Sequence, residues 1–483
     1  MADQTSITAE LDDVDEDGLK RSITGRLLFF YVLGDVLGSG IYVLIGLVAG
    51  AVGGAFWIAF AVGVTVATIT GLAYAELVTK YPQAAGAALY VNKAFKSTAL
   101  TFLVTVCMLS ASFAATGSLA TGFAAYFDQI WSLPPALLVT LVFITILAIV
   151  NFIGITESVV ANMIMTFIEI AGLIIIMIIG AIHVARGDAN FGTLTDFSVD
   201  GNPIFAIVAG VALAFFAMTG FENAANVAEE TVDPARTFPR ALVGGMVAAG
   251  IIYVLVAVTA ALTVPTDRLA SSDAALLEVV KEGILPVPVG VMTILFACIA
   301  MVAITNTTLV AVVTQSRILY GMAREDVVPG VFGRIHQSRR SPWVALIFAA
   351  CVVAGLLLVG FVLNRIGVSI DVIERLATVT VVFTLFIYAL VIVSALRLRG
   401  QDDGEDTFRA STPLLLVGIL ANLILLIYVV VDDPGALWWC AGLLALGGAL
   451  FAAEALFGHR NRDDDDELGE PLTTHDIDTR IGD

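Results

Sequence analysis

The sequence predicts an all-α integral membrane protein of twelve transmembrane helices. Three observations carry that prediction: a composition too apolar for a water-facing surface, twelve apolar runs of spanning length, and a one-sided distribution of basic residues. The chain has 483 residues, of which 59% are hydrophobic and 14% charged. A soluble domain carries roughly 45–50% apolar and about 25% charged residues. The missing charge is explained if much of the surface faces lipid.

A helix needs about 20 apolar residues to cross the hydrocarbon core. Runs of that kind fall at 27–49, 55–79, 98–127, 135–153, 158–183, 203–228, 238–263, 286–320, 343–363, 372–397, 413–431 and 436–457. They lack the period-two alternation of a membrane β-barrel. An even number of spans puts both tails on one side. With the tails in the cytoplasm, nineteen of the 24 Lys and Arg residues fall on the cytoplasmic side. Only Arg186, Arg268, Lys281, Arg365 and Arg375 fall outside. Basic residues favour cytoplasmic loops, and one missed span would scramble every later loop, so the split supports both the count and the orientation.

The spans form one membrane domain, 27–457, between acidic tails at 1–26 and 458–483 that hold much of the net charge of −19. Seven acids face three bases in the first tail, and the second contains the acidic run Asp463 to Glu467. Such tails are expected to be solvated and disordered, and their sign disfavours nucleic acid as a partner. The first tail has no apolar core of a cleavable leader, so the first span is expected to act as the insertion signal. Cys107, Cys298, Cys351 and Cys440 lie in apolar runs at spacings that fit no metal site, and read as buried free thiols. His183, His336, His459 and His475 are scattered, with none in mid-span, and no Walker or zinc motif occurs. An enzyme, a cofactor and a resident metal are therefore not expected. A channel would show a repeated filter motif, and none is visible.

Two spans are interrupted. The first carries Gly34, Asp35, Gly38, Ser39 and Gly40 in its middle, and the sixth carries Met218 to Asn223. Each interior glycine weakens a helix by roughly 0.5–1 kcal/mol, and a charge at mid-membrane costs about 2.5–3.5 kcal/mol. Close helix packing through Gly34 and Gly38 is the simpler explanation for either span alone. Matching interruptions in spans one and six are what two five-helix repeats would produce, and inverted repeats with broken helices recur in transporters. A broken helix exposes amide N–H groups on one side and carbonyls on the other. Those ends suit the carboxylate and the ammonium of an amino acid.

Five motifs then occur in order: GDVLGSGIY at Gly34–Tyr42, YPQAAGAALY at Tyr81–Tyr90, FFAMTGFE at Phe215–Glu222, AEETVDPARTFPR at Ala228–Arg240 and RILYGMARE at Arg317–Glu325. Together they resemble the amino acid–polyamine–organocation superfamily over residues 24–457, with Ala87 where a second glycine is usual. The resemblance implies two inverted five-helix repeats plus two extra helices. It also implies a secondary transporter of amino acids or related amines in the cell membrane. Its partners would be the amino acid, membrane lipid and a coupling proton or sodium ion. It places the substrate carboxylate on amides around Ser39, Gly40 and Ile41, and the amino group on carbonyls near Val36, Phe216, Ala217 and Thr219. Gly38 and Gly220 complete the two binding segments, and Phe216 is a candidate aromatic lid.

Asp35, Glu169 and Glu222 are the acids deepest in the spans, and intramembrane acids mark ion or proton paths. Several proton-coupled branches of the superfamily carry a lysine at the position of Glu169, so their lysine mechanism does not transfer. A carboxylate there would accept a proton or attract a cation. Its expected neighbours are carbonyls near Gly34 and Leu37 and polar groups of helix eight, among them Thr305, Asn306, Thr307 and Thr308. Asp35, Glu169, Glu222, Thr307 and Thr308 are thus the candidate coupling set, with helix-pinning as the alternative role. Within a transporter, ion-coupled uptake competes with exchange.

Overall fold

A computed structural model of the chain describes residues 23–82, 86–153, 159–197, 202–228, 230–324, 327–336, 339, 341–401 and 407–457. Most of both tails lies outside these residues, as do Gln83 to Ala85, Glu229 and Glu325 of the motifs. Six of the bases expected on the cytoplasmic side lie outside them as well: Lys20, Arg21, Arg340, Arg460, Arg462 and Arg480.

The described chain is helical, and eleven helices plus one bent pair are long and apolar enough to span a membrane. Span 1 is the pair, Gly25–Leu37 (half 1a) and Gly40–Val52 (half 1b), bent by 41°. Span 2 is Trp57–Lys80, span 3 Thr98–Asp128, span 4 Ala136–Ile153 and span 5 Val159–Ala185. Span 6 begins as an α-helix, Pro203–Ala217 (half 6a), and resumes as a 3₁₀ segment, Phe221–Val227. Spans 7 to 12 are Pro234–Thr263, Val289–Arg324, Trp343–Arg365, Val372–Arg397, Thr412–Asp432 and Pro434–Phe457. The boundaries follow ordinary capping chemistry: Asn202 Oδ1 accepts from Ile204 N at 2.9 Å and Asp371 Oδ1 from Glu374 N at 3.0 Å, while Pro203 and Pro234 open their helices. Three short helices, Gly86–Phe95, Thr266–Ala270 and Ala275–Lys281, fall in segments that carried no apolar run of spanning length.

The packing has an internal symmetry in which each helix is exchanged for the one five places on. Span 1 packs on spans 5 and 7, and span 6 packs on spans 10 and 2. Span 5 packs on span 8 as span 10 packs on span 3, and half 1b meets half 6a. A repeat of five spans starts its second copy from the opposite side of the membrane, so the two halves are inverted.

Burial separates the inner from the outer helices. In span 10, 83% of the spanning window is buried, against 22% in span 12. Outer helices present large apolar side chains outward, such as Leu420, Ile427 and Val431 on span 11, as lipid contact requires. The thiols divide the same way: Cys107 and Cys440 are buried, but Cys298 and Cys351 are exposed on the outer faces of spans 8 and 9. Apolarity alone cannot distinguish a core position from a lipid-facing one.

Two polar links join segments on the tail side of the bundle. Arg399 grips Glu76 at 2.8 Å through both Nε and Nη2, and the Ala410 amide donates to the same carboxylate, so this part-buried pair is hydrogen-bonded throughout. Ile23 forms a parallel backbone bridge with Thr231, with Ile23 N donating to Glu230 O at 2.9 Å and Val232 N to Ile23 O at 3.0 Å.

Candidate functional site

The two breaks face each other across a cavity of about 120 Å³. By the same measure a single water needs roughly 10–15 Å³, so a small molecule fits. The cavity is walled by both breaks and by spans 2, 3, 8 and 10. From the breaks it runs along residues 108–119 of span 3, 307–318 of span 8 and 380–388 of span 10, toward the side that holds Ile23 and the loop after span 6. On the other side, tyrosines close the bundle: Tyr126 donates to Tyr42 O at 2.8 Å, and Tyr42 to Glu169 O at 2.7 Å.

The breaks approach closely because glycine leaves room. A Cβ on Gly40 would lie 2.4 Å from Ala217 Cα, and one on Gly38 would lie 2.2 Å from Thr307 Oγ1. Gly220 has φ +117°, which L side chains rarely adopt, and a Cβ there would meet the Asp35 carbonyl oxygen at 2.8 Å.

Half 1b begins with amides that no helical turn can satisfy. The Ser39 amide donates to Thr307 Oγ1 at 3.1 Å. Gly40 and Ile41, the first two residues of half 1b, likewise have amides that their own helix cannot satisfy. The corresponding point of span 6 is closed by its own side chain: Gly220 N donates to Glu222 Oε2 at 2.9 Å, and Tyr388 Oη donates to the same oxygen at 2.6 Å. Tyr74, Phe221 and Tyr388 pack edge-on or tilted around this carboxylate. Asp35 is 4% exposed and accepts from Asn223 Nδ2 at 3.1 Å.

Val36, Gly38, Ser39, Gly40, Phe216, Ala217, Thr219, Gly220, Asp35, Glu222 and Thr307 all line the cavity. Ile41 does not line it, although its amide belongs to the open turn. Thr308 lies off the cavity, with its hydroxyl on Ile304 O of its own helix at 2.6 Å. Glu169 is also off the cavity and 0% exposed. Its Oε1 accepts from Asn306 Nδ2 at 3.0 Å, while Oε2 has no hydrogen-bond partner. Thr166, not Glu169, stands against Gly34, where a Cβ would come within 1.9 Å of its hydroxyl.

Several carbonyls at the breaks already hold donors. Tyr253 of span 7 donates to Val36 O at 2.5 Å and lies 3.1 Å from Ala217 O. The Thr219 hydroxyl donates to Phe216 O at 2.7 Å. Sequence reading did not find Tyr253, because one tyrosine in an apolar run has no positional signature. Tyr388 and Tyr74 lack a signature for the same reason, whereas Asn223 belongs to the interruption of span 6.

A cavity between two interrupted helices of an inverted repeat defines a membrane transporter. The family model for amino acid permeases matches residues 25–451, and the chain belongs to that family. The branched-chain amino acid permease BcaP of Bacillus subtilis is 25% identical over 425 residues, covering 84% of this chain and 86% of the relative. Cationic amino acid transporter 5 of Arabidopsis thaliana is 26% identical over 446 residues, covering 88% and 72%. Among solved structures, a manganese transporter of Eremococcus coleocola shares the fold, with a TM-score of 0.60 at 12% identity over 90% of this chain and 92% of that one.

Proposed function

We propose that the chain is a secondary active transporter that moves an amino acid or a related amine across the cell membrane by alternating access. The observation that carries this reading is the N-terminal turn of half 1b, which starts at Gly40 with no side-chain cap, beside two cavity carboxylates, Asp35 and Glu222. One end suits an anion and the other an ammonium, as an amino acid requires. In this reading the substrate carboxylate binds the turn Ser39–Ile41, and Phe216 covers the substrate. The ammonium lies among the carbonyls of Val36, Phe216, Ala217 and Thr219, which keep a second lone pair, with Asp35 adjacent. A counterflow screen of labelled amino acids in proteoliposomes tests the proposal. Saturable accumulation of at least one is expected, and none across the whole set would overturn it.

For coupling, Glu169 is the candidate, with a proton or a sodium ion as partner. A buried carboxyl group is costly unless it is protonated or paired, and Glu169 Oε2 is unpartnered. Exchange without an ion is the second reading, favoured by a cavity whose lining carries two acids and no Lys, Arg or His, since a cationic substrate could then neutralise them.

In this proposal both ends lie in the cytoplasm, which makes the cavity inward-facing. In a cysteine-free background, single cysteines at the exposed positions Asn190 and Ser271 should react with an impermeant reagent from outside. Those at Asn92 and Gly330 should react only from inside. The reverse pattern would invert the topology.

A further inference from the structure

Span 5 carries a buried polar stripe. Asn162, Thr166 and Glu169 follow one another at helical spacing, and all three are buried. The Thr166 hydroxyl donates to Asn162 O of its own helix at 2.9 Å. The other two side chains are joined through span 8. Asn162 Nδ2 donates to Asn306 Oδ1 at 3.3 Å, and Asn306 Nδ2 donates to Glu169 Oε1 at 3.0 Å. This relay of three side chains has an unpartnered oxygen at each end, Asn162 Oδ1 and Glu169 Oε2. Asn306 stands between those two oxygens, so they do not converge on one point. None of the three residues lines the transport cavity.

Hard cations are held by several converging oxygens, and coupling ions in broken-helix transporters sit on unwound carbonyls. Glu169 offers neither. Span 5 is an unbroken helix there. Oε1 already faces an N–H, and the Glu169 carbonyl holds the Tyr42 hydroxyl at 2.7 Å. The surroundings are closely packed: a Cβ on Gly172 would come within 2.6 Å of both Tyr42 Oη and Ile299 Cγ2. Only Oε2 is left, and one oxygen is all that a proton needs.

Among the described residues, the ionisable groups that act on Glu169 from neighbouring helices are Asp35 of half 1a, Tyr42 of half 1b and Tyr253 of span 7. On span 8 the nearest charge, Arg317, lies about 16 Å along the helix from Asn306. The short helix Ala275–Lys281 also touches span 5, and its Glu278 and Lys281 pair with each other at 2.9 Å. No cationic side chain is thereby brought to the carboxylate, and a buried charge is costly until it is neutralised.

We propose that Asn162 and Asn306 make Glu169 a proton site rather than a sodium site, with Asn162 as the positioning residue. The inference rests on the reading of Glu169 as the coupling group. An asparagine can turn either its nitrogen or its oxygen toward a neighbour. With the oxygen turned to Glu169, Asn306 would add a ligand for a cation. Asn162 prevents this, because its donated N–H holds Asn306 Oδ1 on the far side. The proton comes from water, binds Oε2 as O–H and returns to water from the same atom, and no other bond changes.

The test is uptake into proteoliposomes holding the full chain, using the labelled amino acid that accumulates most in counterflow. An imposed proton gradient should drive accumulation, and an equal sodium gradient should not. Asn162→Leu removes the donor, so proton-driven accumulation should fall about three- to twentyfold. Counterflow, which needs no net proton movement, should persist. A merely structural loss would lower both together. Asn162→Gln keeps an amide donor and should recover part of the response. If Asn162→Leu does not fold, radioactive sodium on the purified wild type decides, and no saturable binding is expected. Sodium-driven uptake, or saturable sodium binding, that Glu169→Gln abolishes would overturn the inference while leaving Glu169 as the coupling residue. A full proton response in Asn162→Leu would overturn the positioning role. A wild type driven by neither gradient, or a gradient response that survives Glu169→Gln, would instead overturn the coupling reading beneath it.

Discussion

The two broken spans occupy equivalent places in an inverted repeat, yet their breaks are chemically opposite. Span 6 carries its own anion: the Glu222 carboxylate takes both the Gly220 amide and the Tyr388 hydroxyl. Span 1 has no such group: half 1b starts at Gly40 with no side-chain cap. The helices behind the breaks differ too. Span 10 supplies the Tyr388 phenol to span 6, whereas span 5 supplies the sealed acid Glu169 behind span 1. The lesson is that a symmetric scaffold can hold an asymmetric site. On the proposed reading, the carboxylate brought by the substrate goes to the uncapped end at span 1.

The most drastic way to break this comparison is Gly40→Val. The new Cβ would lie 2.4 Å from Ala217 Cα, a backbone atom that cannot turn aside. Substrate binding should fall below detection in counterflow while the protein still inserts and elutes as a single species. Unchanged affinity would remove the substrate carboxylate from span 1.

Glu222→Ala comes next. It leaves the Gly220 amide and the Tyr388 hydroxyl without their acceptor. Hydrogen bonds to charged groups are worth about 1.5–3 kcal/mol, so apparent substrate affinity should weaken by about tenfold to a hundredfold. A newly opened amide on span 6 would compete for the carboxylate that, on the proposed reading, span 1 holds alone. Wild-type affinity would mean that span 6 does not need its built-in anion.

Glu169→Gln sharpens the contrast behind the breaks. Glutamine can keep the Asn306 contact but cannot carry a charge or exchange the proton. Uptake driven by an imposed proton or sodium gradient should lose its gradient response, while exchange persists in part. A full gradient response in the variant would make Glu169 structural.

Tyr253→Phe should have the smallest effect. Hydrogen bonds between membrane helices average about 0.6 kcal/mol and reach about 1.7, so the loss of stability seen in thermal unfolding should be of that order. Substrate binding should not weaken, because the carbonyls of Val36 and Ala217 then become free for an ammonium. A large loss of binding would show that the phenol belongs to the site.

The spans were legible because lipid imposes length and apolarity residue by residue, and because basic residues mark one side of each loop. The breaks were legible because glycines and acids are costly in mid-helix, so Gly34 to Gly40 and Met218 to Asn223 stood out. The partners of the breaks were not. Tyr253 and Tyr388 act through register between helices far apart in the chain, and register leaves no mark in composition or spacing. Glu169 shows both sides of this. Its depth flagged it, and Asn306 of the expected helix-eight group does bond its carboxylate, but its expected neighbours at Gly34 and Leu37 gave way to Tyr42, because Thr166 rather than Glu169 faces Gly34.

The backbone bridge between Ile23 and Thr231 has a mechanical meaning. Ile23 lies just before half 1a, and Thr231 lies just after the 3₁₀ end of span 6. The two hydrogen bonds harness these segments like a crossbar between two oars, so that one cannot be pulled without dragging the other. Parting these two segments would break both hydrogen bonds at once, and they tie one half of the repeat to the other.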